Sequence, residues 1–373
     1  MNWKRIVVGV MTVGTLAAIV ISCSTKVELN APYRPVTLLF GLLDSKQDTQ
    51  FIKINKTWLG DGDNLVYASL ADSSEYPEGA FNGIVTRYVD GNPTSDEYLL
   101  QEIILDNKST DGIFWSPTYK AYYFVSPGGL DTESTYEIVL DFADKDDVYA
   151  ETDMITPQTN DGNITQPPAG FTDYKFNLVN VGSFGITYND FPFQWTALPN
   201  SQRYEINLIF HYVEYRYTDI DHTNLESTTH KTVNWFIGTE VASEAFESME
   251  REVNWLQLFQ VLSQRIEPDP YVIRQVGTFD GLEHDVFDFV LTIGNEELST
   301  YMDVNEPVTG IIQERPEYTN VANGLGLFAS RLQQTIPGIG ITSNSLTELI
   351  EGDITGSLGF CSPIPNSPES CDP

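Results

Sequence analysis

Thr135-Tyr136-Glu137-Ile138-Val139-Leu140-Asp141-Phe142 alternates with a period of two. In an extended chain Tyr136, Ile138, Leu140 and Phe142 share one face, and a face so apolar must be buried. The same alternation recurs on both sides. Upstream it runs through Val36-Thr37-Leu38-Leu39-Phe40, the stretch 50–57 around Ile52 and Ile54, and 81–89. It continues in 98–105, 112–115 and Ala121-Tyr122-Tyr123-Phe124-Val125. Downstream, Val148-Tyr149-Ala150-Glu151-Thr152 reads as a closing edge strand. Short strands separated by Gly, Asp, Asn and Pro clusters predict an antiparallel β-sandwich over residues 36–157.

The stretch 158–170, with Gly162, Pro167 and Pro168, breaks every period and reads as a linker. A second sandwich is expected over 171–373. Its clearest signal is the stripe Tyr204, Ile206, Leu208, Phe210 and Tyr212, preceded by Phe193-Gln194-Trp195 and followed by strand character at 286–293. One helix is predicted inside it. From Ser243 to Ile266, the residues Phe246, Met249, Val253, Leu256, Phe259 and Leu262 recur at helical spacing, and Glu267-Pro268-Asp269-Pro270 stops the run. Trp255 is expected to point away from the sheet, while Glu247, Glu250 and Gln257 form a polar stripe. These four residues are the candidate partner surface. A shorter helix is expected near 345–351, capped by Ser343 or Asn344.

Composition bounds the function. The chain has 373 residues, 41% hydrophobic and 20% charged, which is a globular composition. Its net charge of -33 repels bare phosphate polymers and excludes nucleic acid as a partner class. Four histidines, at 211, 222, 230 and 284, show no metal-ligand spacing in sequence, which argues against a histidine-based metalloenzyme. No Gly-x-Ser-x-Gly elbow or Walker loop is present. Asn323-Gly324-Leu325-Gly326-Leu327-Phe328 lacks the third glycine of a nucleotide fingerprint and reads as a glycine turn delivering Leu325, Leu327 and Phe328 to the core. Asp61-Gly62-Asp63-Asn64 offers clustered oxygens for calcium but lacks the loop's closing Glu, so a solvated acidic turn is the preferred reading. Trp58, Trp115 and Trp235 are candidates for stacking on sugar rings or for the core. No catalytic residue, metal or cofactor is assigned, and the chain is read as non-enzymatic.

Three resemblances sharpen this reading. Leu130-Asp131-Thr132-Glu133-Ser134-Thr135-Tyr136 resembles the turn before the penultimate strand of fibronectin type III and other immunoglobulin-like domains, which implies that Leu130 fills the core and Tyr136 caps the corner through its hydroxyl. Trp195 before a turn and Tyr204 opening the next strand resemble a strand pair of the same family, so the fold class expected is two such sandwiches in tandem. At the N-terminus, Lys4 and Arg5 precede an apolar run from Ile6 to Ile21 ending in Val20-Ile21-Ser22-Cys23, which resembles the lipobox of bacterial lipoprotein precursors. That resemblance implies a signal peptide at 1–22, acylation of Cys23, a tether over 23–35 and an outer-membrane destination, since Ser24 is not Asp. Cleavage removes two cations and no acid, taking the net charge from -33 to -35, so the anchor must be lipid and not electrostatic. In an oxidising compartment Cys361 and Cys371 are expected to pair.

Together with Gly41-Leu42-Leu43-Asp44, Ile52-Lys53-Ile54-Asn55-Lys56-Thr57 and the segment Tyr318 to Phe328, the Cys23 start resembles an uncharacterised family of Bacteroidota outer-membrane lipoproteins. That resemblance implies a surface or outer-membrane location beside a large β-barrel. Lys26 and Glu28 partly resemble a surface-export signal, which tilts the expected orientation towards the cell surface over the periplasmic face. The first functional expectation is therefore a binding or scaffold subunit for an outer-membrane β-barrel partner. A surface glycan- or nutrient-binding protein is the alternative, and a hydrolase ranks last.

Overall fold

The structure, a computed structural model, describes residues 33–59, 63–171, 173–277, 285–306, 317–363 and 370–371. Cys23 and the apolar run before it, Asp61, Gly62 and His284 lie outside the described residues. The mainly β expectation holds. Strand Thr135–Phe142 buries Tyr136, Ile138, Leu140 and Phe142 on one face. It sits third in a four-stranded antiparallel sheet ordered Asn92–Leu99, Phe81–Val89, Thr135–Phe142, Val148–Asp153. Facing it is one half of an eleven-stranded sheet in which Thr37–Leu43, Thr49–Lys56, Tyr119–Val125 and Gln101–Leu105 are successive neighbours. Leu39, Ile52, Ile54 and Phe124 from this side meet Val85, Ile138 and Leu140 from the other in one buried cluster. Each such side chain contributes roughly 1.5–3 kcal/mol of transfer free energy.

The run 98–105, read as one strand, is two. Leu100 donates its N–H to the Gly83 carbonyl and the chain crosses from one sheet to the other there. Residues 112–115, also read as a strand, are irregular.

The second core is larger. Strand Arg203–Tyr217 carries the predicted stripe, with Tyr204, Ile206, Leu208 and Phe210 fully buried. It pairs along its whole length with Leu225–Val241 and on its other edge with Phe287–Gly294 and Val272–Val276. A three-stranded sheet, ordered Ser248–Asn254, Asp190–Thr196, Ile164–Gln166, supplies Trp195, Phe193 and Met249 to the same core.

Three expectations are corrected. The helix predicted over 243–266 is confined to Leu256–Arg265, and residues 248–254 form a strand paired with 190–196, Trp195 opposite Met249 and Phe191 opposite Val253. Met249 and Val253 stand four apart, a spacing that suits both a helical turn and alternate strand positions, and pairing with a neighbouring strand decides between them. Phe246, assigned to the helix's apolar face, lies in a loop at positive φ and is exposed. Second, the stretch read as a linker contains Ile164–Gln166, an edge strand whose Ile164 is buried in the larger core. Third, the segment 324–330, assigned to the second sandwich, pairs in parallel with Thr37–Leu43.

That third point follows from one long strand, Gly324–Ile341. Its first half extends the smaller core's sheet and buries Phe328 there, while its second half pairs with Phe287–Gly294 and buries Leu332, Ile336 and Ile339 in the larger core. At Gly326 (φ +131°) a Cβ would stand 1.9 Å from the Leu39 carbonyl oxygen, so only glycine fits against the first strand. Leu327 and Phe328 are buried as expected of the glycine turn, whereas Leu325 is exposed. At the junction Asn163 and Gln334 exchange side-chain amide hydrogen bonds of 3.0 and 2.8 Å, and Ser330 Oγ accepts from Ile155 N. Buried polar groups paired in this way fix the junction's geometry.

Two helices complete the frame. Helix Glu296–Asn305, with no counterpart in the sequence reading, is capped by Asn295, whose Oδ1 accepts from Leu298 N. The C-terminal helix spans Ser343–Glu351, with Thr342 as its cap residue where Ser343 or Asn344 was expected.

Candidate functional site

The strand Thr37–Leu43 is apolar on both faces. Leu39 and Leu43 point into the core, while Phe40 and Leu42 point outward and remain 40% and 36% exposed. Outward-facing Phe51, on the neighbouring strand, is 50% exposed. Helix Glu296–Asn305 stands along one side of this face and presents Leu298, Tyr301 and Met302. Its far end is fixed by Arg203, a buried guanidinium that donates to Asp303 and Glu306 at 2.9 Å each. The ring of Tyr301 meets Phe40 edge-on at 6.1 Å. Between helix and sheet lies an open groove of about 830 Å³, lined also by Leu105 and Tyr119.

Two cations mark the groove. Arg331 belongs to the same long strand, and its buried Nε has no hydrogen-bond partner among the described residues. Lys53 donates from Nζ to the Lys120 carbonyl at 2.6 Å and lies 4.5 Å from the Tyr119 ring centroid. Burial pushes its ammonium down to about 8, Glu75 pulling the other way and Lys108 adding to the fall. Asp44 is the groove's one carboxylate among the described residues, and it accepts from the Lys46 N–H. The groove is thus apolar and locally positive in a chain whose net charge is -33.

The residues singled out from sequence fall elsewhere. Leu130 is buried in the smaller core, and the Tyr136 hydroxyl accepts from Asp131 N at 2.9 Å, five residues back. Burial pushes its phenol up to about 12. Tyr204 makes the corresponding contact in the larger core, accepting from Leu198 N at 2.8 Å, with Trp195 against its ring at 5.7 Å. Cys361 and Cys371 form a disulfide.

The candidate partner surface is not a single stripe. Glu247 lies in a loop, where its carboxylate accepts from Ser243 N and Oγ and is held below the ordinary carboxylate range by those bonds. Glu250 lies on a strand and accepts from Gln194 Nε2, and Gln257 is exposed on the helix. Trp255, expected to face solvent, is fully buried against Phe176, Phe191, Phe193 and Trp235. The correction follows from the shortened helix: Trp255 is its N-cap residue and turns inward with the strand that precedes it.

Trp235 is likewise core. Trp58 is half-buried with its ring edge-on to Phe114 at 6.4 Å, and Trp115 is 37% exposed beside exposed Ile113 and Phe114. Of the acidic turn, Asp63 and Asn64 are described: Asp63 caps the short helix Asn64–Ala68 by accepting from Leu65 N.

The groove residues Phe40, Leu42 and Phe51 were missed because a strand in a one-sided sandwich is expected to alternate. The available signal was the failure of that alternation: Leu38-Leu39-Phe40-Gly41-Leu42-Leu43 is apolar at both parities, the pattern of a strand with both faces in contact. No protein-family model matches the chain, and a comparison with curated proteins finds no match.

Proposed function

We propose that the chain is a non-enzymatic binding or scaffold subunit, held at the outer membrane by lipid on Cys23, and that its groove seats an apolar, acidic segment of an outer-membrane β-barrel partner. In this reading each core is a fibronectin type III-like sandwich, the two in tandem. The strand orders support it. Two runs of four strands enclose the smaller core, and a three-stranded sheet faces a longer run over the larger one, with Tyr136 and Tyr204 each the second residue of a strand that carries an inward stripe. Gly324–Ile341 serves as the last strand of the second sandwich and as an added edge of the first.

The observation that carries the binding reading is the groove itself. It exposes Phe40, Leu42 and Phe51 beside an unpaired Arg331 nitrogen, in a chain where acids outnumber bases 53 to 20. Exposed aromatic rings beside an arginine are the composition of interface hot spots, and a positive site on an acidic surface selects a carboxylate-bearing partner segment.

The test is copurification from native membranes in mild detergent. The wild-type chain is expected in the membrane fraction with a stoichiometric β-barrel, recognised by its heat-modifiable migration. Phe51→Asp and Arg331→Gln should each lose the barrel while keeping their unfolding midpoints within a few degrees of wild type, and Cys23→Ala should leave the membrane fraction. Full recovery of the barrel with both groove variants would overturn the proposal. Retention of the lone protein on a polysaccharide would favour the glycan-binding alternative.

A further inference from the structure

His211, on strand Arg203–Tyr217, and His230, on its antiparallel neighbour Leu225–Val241, approach with Nδ1 and Nε2 3.4 Å apart. The register produces this approach. His211 pairs with Thr232 and His230 with Val213, so the two imidazoles are diagonal neighbours on one face. It is the outer face, because Phe210 and Tyr212 on either side of His211 point into the core. The rings lie within 19° of parallel, 5.3 Å between centroids.

Behind His211 stands a carboxylate. Its Nε2 is 3.0 Å from Asp288 Oδ2, and Asp288 Oδ1 in turn accepts from Gly338 N at 3.1 Å. A carboxylate on Nε2 favours the proton there, which leaves the Nδ1 lone pair directed towards His230. The arrangement is that of a metal-binding histidine whose second nitrogen is oriented by a carboxylate. Two nitrogens held at roughly 2.0–2.1 Å from one tetrahedral zinc stand about 3.4 Å apart, which is the spacing seen. Among the described residues no group of three His, Cys, Asp or Glu side chains is placed to hold a metal ion, so the pair stands as a two-nitrogen site. His230 is exposed, which leaves the pair open to an entering ion.

We propose that His211 Nδ1 and His230 Nε2 form an open two-histidine site for a borderline divalent transition-metal ion such as Zn²⁺, with Asp288 as the positioning residue behind His211. The observations are independent of the groove, which lies on the other half of the long sheet.

The test is calorimetric titration of Zn²⁺ into the full chain, purified without a polyhistidine tag and stripped with chelator. Millimolar Ca²⁺ is present to occupy surface carboxylates, which prefer hard cations. One equivalent of Zn²⁺ should bind. His211→Ala and His230→Ala should each weaken binding by more than ~10-fold, and Asp288→Asn by ~10-fold or more, as for other residues that orient a metal ligand. His222→Ala, elsewhere on the chain, should bind as wild type. Side-chain imidazole NMR signals of His211 and His230 in the wild-type chain should shift on Zn²⁺ addition, a readout that does not depend on how any variant folds. Absence of Ca²⁺-resistant binding, or equal binding by the His211→Ala/His230→Ala double variant, would overturn the site.

Discussion

Replacing Tyr204 by Phe removes one oxygen from the middle of the larger core and leaves the ring in place. That oxygen accepts the Leu198 N–H at 2.8 Å and contacts Ser201 Oγ, and both Tyr204 and Leu198 are fully buried. Without it the Leu198 N–H has no acceptor, and water cannot reach it. A buried donor left unpaired costs about 1–3 kcal/mol. Ser201 Oγ, which donates to the Leu198 carbonyl, loses the phenol as a partner as well, so a loss of about 2 kcal/mol is expected. Tyr136→Phe provides the internal comparison. Its hydroxyl accepts from the N–H of Asp131 in a contact that is only partly buried, on an exposed residue, so the loss should be nearer ~1 kcal/mol. Equilibrium unfolding in urea should show both variants with an unchanged slope and a lower midpoint, Tyr204→Phe lower than Tyr136→Phe. A loss below ~0.5 kcal/mol for Tyr204→Phe, or an inverted order, would refute the burial argument.

Two further outcomes follow from the same geometry. Trp255→Ala should destabilise the chain by about 3–5 kcal/mol, the range for truncating a large buried aromatic, and a change under ~1 kcal/mol in thermal or urea unfolding would contradict its place in the aromatic cluster. Lys53 has its folded value lowered to about 8 against 10.5 for the free side chain, so between those pH values the unfolded chain holds a proton that the folded chain has released. Stability should therefore rise with pH across that window. Measured as a difference from wild type, Lys53→Met should abolish that rise, and parallel pH profiles for the two proteins would refute the assignment.

What the sequence made legible was local. The stripe from Tyr204 to Tyr212 and the alternation from Tyr136 to Phe142 name inward faces without reference to any partner strand, and both faces are buried. The corner contacts of Tyr136 and Tyr204 span five and six residues and are equally local. Legibility failed where a second strand decides the outcome. Residues 248–254 carry apolar side chains at a spacing common to helix and strand, and only the opposing Phe191 and Trp195 resolve it. Leu225–Val241 escaped notice because its first eight residues are exposed and, after Leu225, polar, with no apolar face to read, and it is a strand because it pairs with Arg203–Tyr217. The groove and the histidine pair were hidden for the same reason. Phe40 meets Tyr301, and His211 meets His230, through registers that no short window contains.

Parallel pairing of Thr37 with Gly324 also sets an order of events. As the chain emerges N-terminus first, Thr37–Leu43 can pair with Thr49–Lys56 at once, but its other edge stays open until nearly the whole chain has followed. Loop closure over so long a separation is slow, and an open edge strand with apolar residues on both faces is a template for wrong pairing in the meantime. The wall of the groove, from helix Glu296–Asn305 and Arg331, arrives in that same late interval. A truncated or stalled chain would therefore carry the exposed floor of the groove without its wall, so only the finished chain has the groove at all.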